Sequence, residues 1–289
     1  MTDAINNVTF ADKLKGYLKN PASMVLMLLV MISAVITFAV LLFIIAYIVI
    51  NGVPNLTPEL FSIHYTTENV SMLPSIINTF IMTICALVIA VPLGIFTAIY
   101  LVEYAKRGNK LVSVIGVTAE TLSGIPSIVY GLFGMLFFVT YLKWGYSILA
   151  GACTLAIMIL PLIMRTTEEA LKSVSDSYRE ASFGLGAGRL RTVFKVVLPA
   201  AVPGILAGII LAIGRIVGET AALIYTAGTV AEVPSNLMSS GRTLAIHTYV
   251  LSSEGLYTNQ AYATAVVLLA IVLLINILSS AAAKKLASK

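Results

Sequence analysis

The sequence predicts an all-α membrane protein of about six transmembrane helices, and three observations predict it. First, 59% of its 289 residues are hydrophobic and only 11% are charged, with a mean hydropathy of +0.98. A soluble domain is about 45–50% apolar and roughly 25% charged. Second, the apolar residues gather into six runs, at 23–50, 75–100, 111–138, 147–164, 200–228 and 260–281. Each is near the roughly 20 residues that cross a bilayer. Third, the segments between the runs alternate between basic and nearly charge-free. This excludes a soluble globular enzyme. The net charge of +5 sits in short loops, so it sets orientation in a membrane and is no footprint of nucleic acid.

Taken in order, residues 1–22 carry Lys13, Lys15 and Lys19 and read as a cytoplasmic segment. The run 23–50 is much longer than the 7–15 apolar residues of a signal peptide and is expected to be a retained first span. Residues 51–72 contain no Lys or Arg, whereas Lys106, Arg107 and Lys110 follow the second run. Only Lys143 lies between the third and fourth runs, and only Arg242 within 231–259. The segment 166–199 is basic, and Lys284, Lys285 and Lys289 close the tail at 282–289. Six spans with both termini cytoplasmic satisfy the positive-inside rule at every loop. That topology gives a multi-pass protein of the cell membrane, with a core of five spans over 75–281. Cys85 and Cys153 fall inside apolar runs and read as packing residues, while His64 and His247 are lone residues of outside loops. Neither pair suggests a metal site. No catalytic constellation and no Gly-x4-Gly-Lys-Ser/Thr phosphate loop is present, so any ATP that drives this protein binds another chain.

Three ionisable residues lie within spans: Glu120, Arg215 and Glu219. A charge at mid-membrane costs roughly 2.5–3.5 kcal/mol on insertion scales, and such residues usually line a polar interior. Glu219 follows Arg215 at i+4, on one helix face and in reach of an ion pair. Two readings fit: a substrate path, or a pair that locks helices. Glu120, Ser123, Ser127 and Tyr130 fall at i, i+3, i+7 and i+10, one polar stripe on the third span, kinked at Gly124 and Pro126. The stripe either lines a pore or packs against another polar helix. Gly204/Gly208 and Gly214/Gly218 give small-residue spacing for close helix packing, expected to hold Arg215 firmly.

The segment EASFGLGAGRLRTVFKVVLP, 180–199, is a polar, basic island between two apolar runs. Ser177-x-x-Glu180 and Thr166-x-x-Glu169 read as capping boxes, and Gly186 and Gly188 suit a turn at positive φ. Leu190, Val193, Phe194 and Val197 recur at i, i+3, i+4 and i+7, leaving Arg179, Arg189, Arg191 and Lys195 for the wet side. The segment resembles the "EAA" loop of ABC-transporter permeases through Glu180, Ala181, Gly186, Leu198 and Pro199; Ser182 and Val196 depart from that pattern with little change in size. GRIVGETAAL at 214–223, which includes Thr220, and SGIPSIVYGLFG at 123–134 resemble the phosphate-specific group of these permeases. GRTLAIHTYVLSSEGL at 241–256 resembles its PstA-type subunits.

The resemblance implies a type I ABC importer permease fold whose cytoplasmic coupling loop, Arg189 included, meets the ATPase. It implies phosphate import, with Arg215, Glu219, Thr220, Glu120, Ser123 and Ser127 along the substrate path. It implies a PstC-like permease as heterodimeric partner, a PstB-like ATPase dimer that carries ATP and Mg, and an extracytoplasmic phosphate-binding protein. No cofactor is expected on this chain. A permease for sulfate or molybdate has the same architecture and stays open as an alternative; so does a self-contained channel or membrane-embedded enzyme, which the loop at 180–199 disfavours.

Overall fold

A computed structural model describes residues 21–106 and 108–287. The expectations for Lys13, Lys15, Lys19, Arg107 and Lys289 lie outside the described residues. The chain divides into two units at Asn51/Gly52. The described part of the first is one helix, α1 (Pro21–Gly52). It is apolar on every side, as a span in lipid must be, and Thr37 satisfies its hydroxyl internally by donating to the Ser33 carbonyl at 2.8 Å.

The second unit is a helical bundle. After two short 3-10 turns, α2 (Leu73–Ile99) runs into a π-helical turn at Tyr100–Tyr104. Then follow α3 (Lys110–Ser123), α4 (Ser127–Gly134) with a π-helical extension at Met135–Tyr141, and α5 (Ile148–Lys172). The short helices α6 (Asp176–Gly184) and α7 (Arg189–Thr192) lead through a π-helical turn at Val193–Val197 into α8 (Leu198–Val217). One turn, α9 (Ala221–Ile224), precedes a long loop, α10 (Leu244–Glu254) and α11 (Thr258–Ala287).

α5 is the centre. Two thirds of its apolar window is buried, against one third or less in the other spans. It packs along α2 on one side and α8 on the other. Its Leu155, Met158, Ile159 and Ile163 close a core with Met82, Ala86 and Ala90 of α2 and with Ala212 and Ile216 of α8. A second core lies at the end where α6 and α7 sit, built from Ala98, Leu101, Leu171, Val193, Val197 and Ile205. Gly204 and Gly208 make the α5–α8 approach possible: a Cβ at either would run into Ala170 or Thr166. Pro92, Pro161 and Pro203 sit inside helices, as neighbouring spans permit in a membrane.

Among the described residues five helices are long and apolar enough to span, and α3 with the α4 segment makes a sixth only as a broken span. The kink expected at Gly124 and Pro126 is there, and it divides the third span into two helices. The chain bends by 103° between the two helices, because Gly124 and Pro126 interrupt the ladder. The fourth span runs on to Lys172 rather than ending at 164, so Thr166-x-x-Glu169 is mid-helix and caps nothing; Thr166 Oγ1 donates to the Leu162 carbonyl instead. The fifth stops at Val217, short of 228, and α11 continues to Ala287 through most of the expected tail.

Candidate functional site

Two regions hold the residues singled out from sequence, one mid-bundle and one at the end formed by α6 and α7.

At the second region, α6 begins at Ser175, whose Oγ accepts from the Ser177 N–H. The cap is therefore Ser175, two residues before the expected Ser177. Gly186 has φ +81°, as the turn requires, while Gly188 is extended at φ −72° and needs no glycine freedom. Ser182 is buried and shares a 2.9 Å hydrogen bond with Thr192, tying α6 to α7. The expected apolar face divides: Val193 and Val197 are buried, whereas Leu190 is 67% exposed. Tyr178, Phe183 and Leu185, the last 90% exposed, are turned outward as well, so α6 and α7 make a knob that carries exposed apolar side chains. Glu180, Ala181 and Pro199 are exposed beside it, and Leu198 packs inward.

Arg179 is not on the wet side. Its guanidinium is the staple of this region, with only 14% of its side chain exposed. Nη2 and Nε reach Glu103 of the π-helical turn at 2.7 and 3.1 Å. Nη1 donates to the Val174 carbonyl at 2.8 Å and to Asp176 at 3.1 Å, and Nη2 also to the Leu171 carbonyl at 2.9 Å. The π-helical turn after α2 brings Glu103 into this geometry, since a widened turn re-aims its side chains. Arg189 adds a cation–π contact to Tyr104, 5.4 Å from the ring centre. A cleft of about 1060 Å³ opens alongside, lined by Lys106, Lys110, Lys172 and Arg189 among others.

In the bundle, Arg215 sits half-buried near the end of α8, three residues before Gly218. It makes no hydrogen bond or ion pair with any described residue. The buried Tyr130 donates its hydroxyl to the Leu122 carbonyl at 2.7 Å and so spans the break between α3 and α4. The expected pair with Glu219 is not formed. The helix ends between the two residues, and the Glu219 Oε1 accepts from the Ala222 N–H at 3.0 Å, so it caps α9. Thr220 is half-buried at the N-terminus of that turn. The polar stripe is likewise split by the 103° bend: Glu120 and Ser123 end one helix, and Ser127 and Tyr130 begin the next. Ser123 Oγ donates to the Glu120 carbonyl at 2.7 Å. The exposed Glu120 carboxylate lies 3.6 Å from Arg165 of α5, a cation that sequence reading passed over because it lay beyond the expected end of the fourth span. Nothing packs on Gly214 within 4 Å, so close glycine packing holds α8 at Gly204 and Gly208 but not at Arg215. Cys85 and Cys153 are both free thiols.

A bundle of broken and continuous spans, with a short-helix knob at one end and the half-buried Arg215 within, defines a membrane permease. Residues 90–289 match the family described as "Binding-protein-dependent transport system inner membrane component", and the chain belongs to it. Among curated relatives, a "Probable ABC transporter permease protein YqgI" of Bacillus subtilis is 38% identical over 192 residues, covering 62% of this chain and 65% of that one. A "Phosphate transport system permease protein PstA 1" of Mycobacterium tuberculosis is 43% identical over 143 residues, covering 50% and 46%. The chain thus spans between about half and 65% of the length of these relatives. Among solved structures, a bacterial alginate ABC transporter superposes with a TM-score of 0.69 at 12% identity, covering 94% of this chain and 98% of that one. The MetNI methionine ABC transporter gives 0.58 at 21%, covering 74% and 94%. Both support the type I importer permease fold.

Proposed function

We propose that this chain is a PstA-type subunit of an ATP-driven importer of inorganic phosphate and forms half of the translocation path. A PstC-like permease supplies the other half, a PstB-like ATPase dimer with its ATP and Mg docks on the knob at 176–192, and a phosphate-binding protein docks at the opposite face. Both termini and the knob are cytoplasmic in this reading. The names of the PstA relatives support the substrate.

One observation carries the site: Arg215, half-buried within a span, is left with no acceptor among the described residues. A guanidinium stays charged when buried, and its planar fork matches two oxygens of a tetrahedral oxyanion. Had Glu219 paired with it, the fork would be occupied. Glu219 instead ends α8 and starts α9, and so leaves Arg215 available at the break. The break between α3 and α4 sits close to the break after α8, since Gly131 of α4 packs directly on Ala222 of α9. Non-helical backbone at membrane depth is tolerated where it lines a protein interior or a polar cavity. The coupling knob is rigid because Arg179 ties it to the end of α2 and Ser182 ties its two helices together. Motion of the docked ATPase is thereby passed to the spans.

The test is reconstitution with the partner subunits in vesicles. Uptake and ATP hydrolysis are expected to rise with phosphate-loaded binding protein and not with sulfate. Equal stimulation by sulfate, or no stimulation at all, refutes the assignment.

A further inference from the structure

The end of the bundle opposite the knob holds a second cation with no place in this path. Arg242 is 4% exposed, and His247, at the first turn of α10, is fully buried. Arg242 is fixed from three directions. Its N–H donates to the Val230 carbonyl at 2.8 Å. Its carbonyl accepts from Asn78 Nδ2 at 3.3 Å. Its guanidinium lies over the Tyr65 ring, 4.8 Å from the centre. His247 stands against the same ring, edge-on at 6.3 Å.

The polar edges of this cluster have no partner among the described residues. Nε and Nη2 of Arg242 are both buried without an acceptor. These two nitrogens form one edge of the guanidinium, the side-on fork that grips two acceptor atoms at once. Both ring nitrogens of His247 and the Ser75 hydroxyl, on the α2 face that meets 242–244, are also unpartnered. The Val70 backbone faces the imidazole without completing a hydrogen bond. No carboxylate answers the charge: Glu59, Glu68, Glu232 and Glu254 of this end are exposed, and none pairs with Arg242. Arginine cannot shed its proton to escape burial, and an isolated buried charge is strongly unfavourable. Water would satisfy the N–H groups but leave the charge.

We propose that Arg242 and His247 form a binding site for one small inorganic anion, gripped by the side-on fork of the guanidinium with the imidazole beside it. Tyr65 and Asn78 position the fork. Burial first, and then the charge of Arg242, hold the His247 pKa down to about 3, so the ring enters the site neutral and donates a single N–H. The site is separate from Arg215, which lies on α8, and does not depend on the identity of the transported substrate.

The experiment follows the thermal-unfolding midpoint of the full chain in nanodiscs, in sodium gluconate, while phosphate or chloride is titrated in. An anion that binds only the folded state raises the midpoint with the logarithm of its concentration. Wild type is expected to respond, and so is Glu68→Gln, a change at an exposed residue of the same end. Arg242→Met should be flat, and Arg242→Lys, which has no fork, should need at least tenfold more anion. Arg242→Gln, polar but uncharged, should also be flat and stands in if the Met variant does not fold. A response to phosphate alone marks an oxyanion site, and one to chloride alone a halide site; either supports the proposal. A wild type that responds to neither anion, or a response kept in the Arg242 variants, overturns it. A response lost in Arg215→Gln but kept in Arg242→Met places the binding in the membrane path and leaves only the proposed function standing.

Discussion

Replacing Arg179 with methionine keeps the length of the side chain and removes the staple of the coupling region. Six hydrogen bonds to four residues are lost, three of them the grip on the two carboxylate oxygens of Glu103. Glu103 has 9% of its side chain exposed and Arg179 has 14%, so solvent screens the pair little. Removing one partner of a buried pair costs about 3–5 kcal/mol, mostly because the remaining charge is stranded. At about 1.4 kcal/mol per tenfold, the equilibrium for seating α6 on the end of α2 shifts by roughly a hundredfold to several thousandfold. The spans do not depend on this contact, so the chain should still insert. The assay is limited proteolysis within 176–192 in membranes, followed with ATPase coupling in the reconstituted complex. Cleavage should accelerate and substrate-stimulated hydrolysis should fall. The double change Arg179→Met, Glu103→Leu should recover much of the protection, since no orphan charge remains. Wild-type protection and coupling in the single variant would refute the staple.

Gly208→Val places a branched side chain against Thr166 and should cost about 1–3 kcal/mol by overpacking, whereas Gly214→Ala should be tolerated; equal folded yields from detergent extracts would contradict the α5–α8 contact. Gly186→Leu meets no neighbour, so its penalty is backbone strain of about 1–2 kcal/mol at φ +81°; the variant should insert normally and couple poorly, measured as uptake per ATP hydrolysed. His247 titrates near 3 in the folded chain against about 6.5 unfolded, a lowered pKa. The stability of its neutral form is therefore present above pH 6.5 and lost as the pH falls toward 3, by about 2 kcal/mol between pH 7 and 5. In anion-poor buffer the unfolding midpoint of wild type should drop over that range more than that of His247→Gln.

The sequence made the spans legible because lipid demands long apolar runs, and it made the coupling loop legible because Glu180, Ala181, Gly186, Leu198 and Pro199 keep a fixed spacing. Helix ends were less legible. In the third span a kink at Gly124 and Pro126 is readable, but its size is not, because the apolar run continues on both sides; only the backbone records the 103° bend. Pairings were least legible. Arg215 and Glu219 share an i+4 spacing that implies a pair only while the helix continues, and it ends at Val217. Arg179 looks solvent-bound within a polar loop, and its partner Glu103 is 76 residues away. Ser182, a departure from the Glu-Ala-Ala pattern, is explained by Thr192, a residue without any pattern of its own. Arg242 and His247 fall in the segment 241–256 that resembles PstA-type subunits, but nothing in one dimension tells that this outer loop folds inward.

The central claim is that Arg215 serves the substrate and not Glu219. Phosphate uptake by the reconstituted complex tests it directly, comparing wild type with Arg215→Gln and with the double change Arg215→Gln, Glu219→Gln. Because Glu219 caps α9 and does not pair with Arg215, both variants are expected to assemble and neither to transport. Uptake restored in the double variant would contradict the account, because it would mean that Arg215 is needed only to neutralise Glu219.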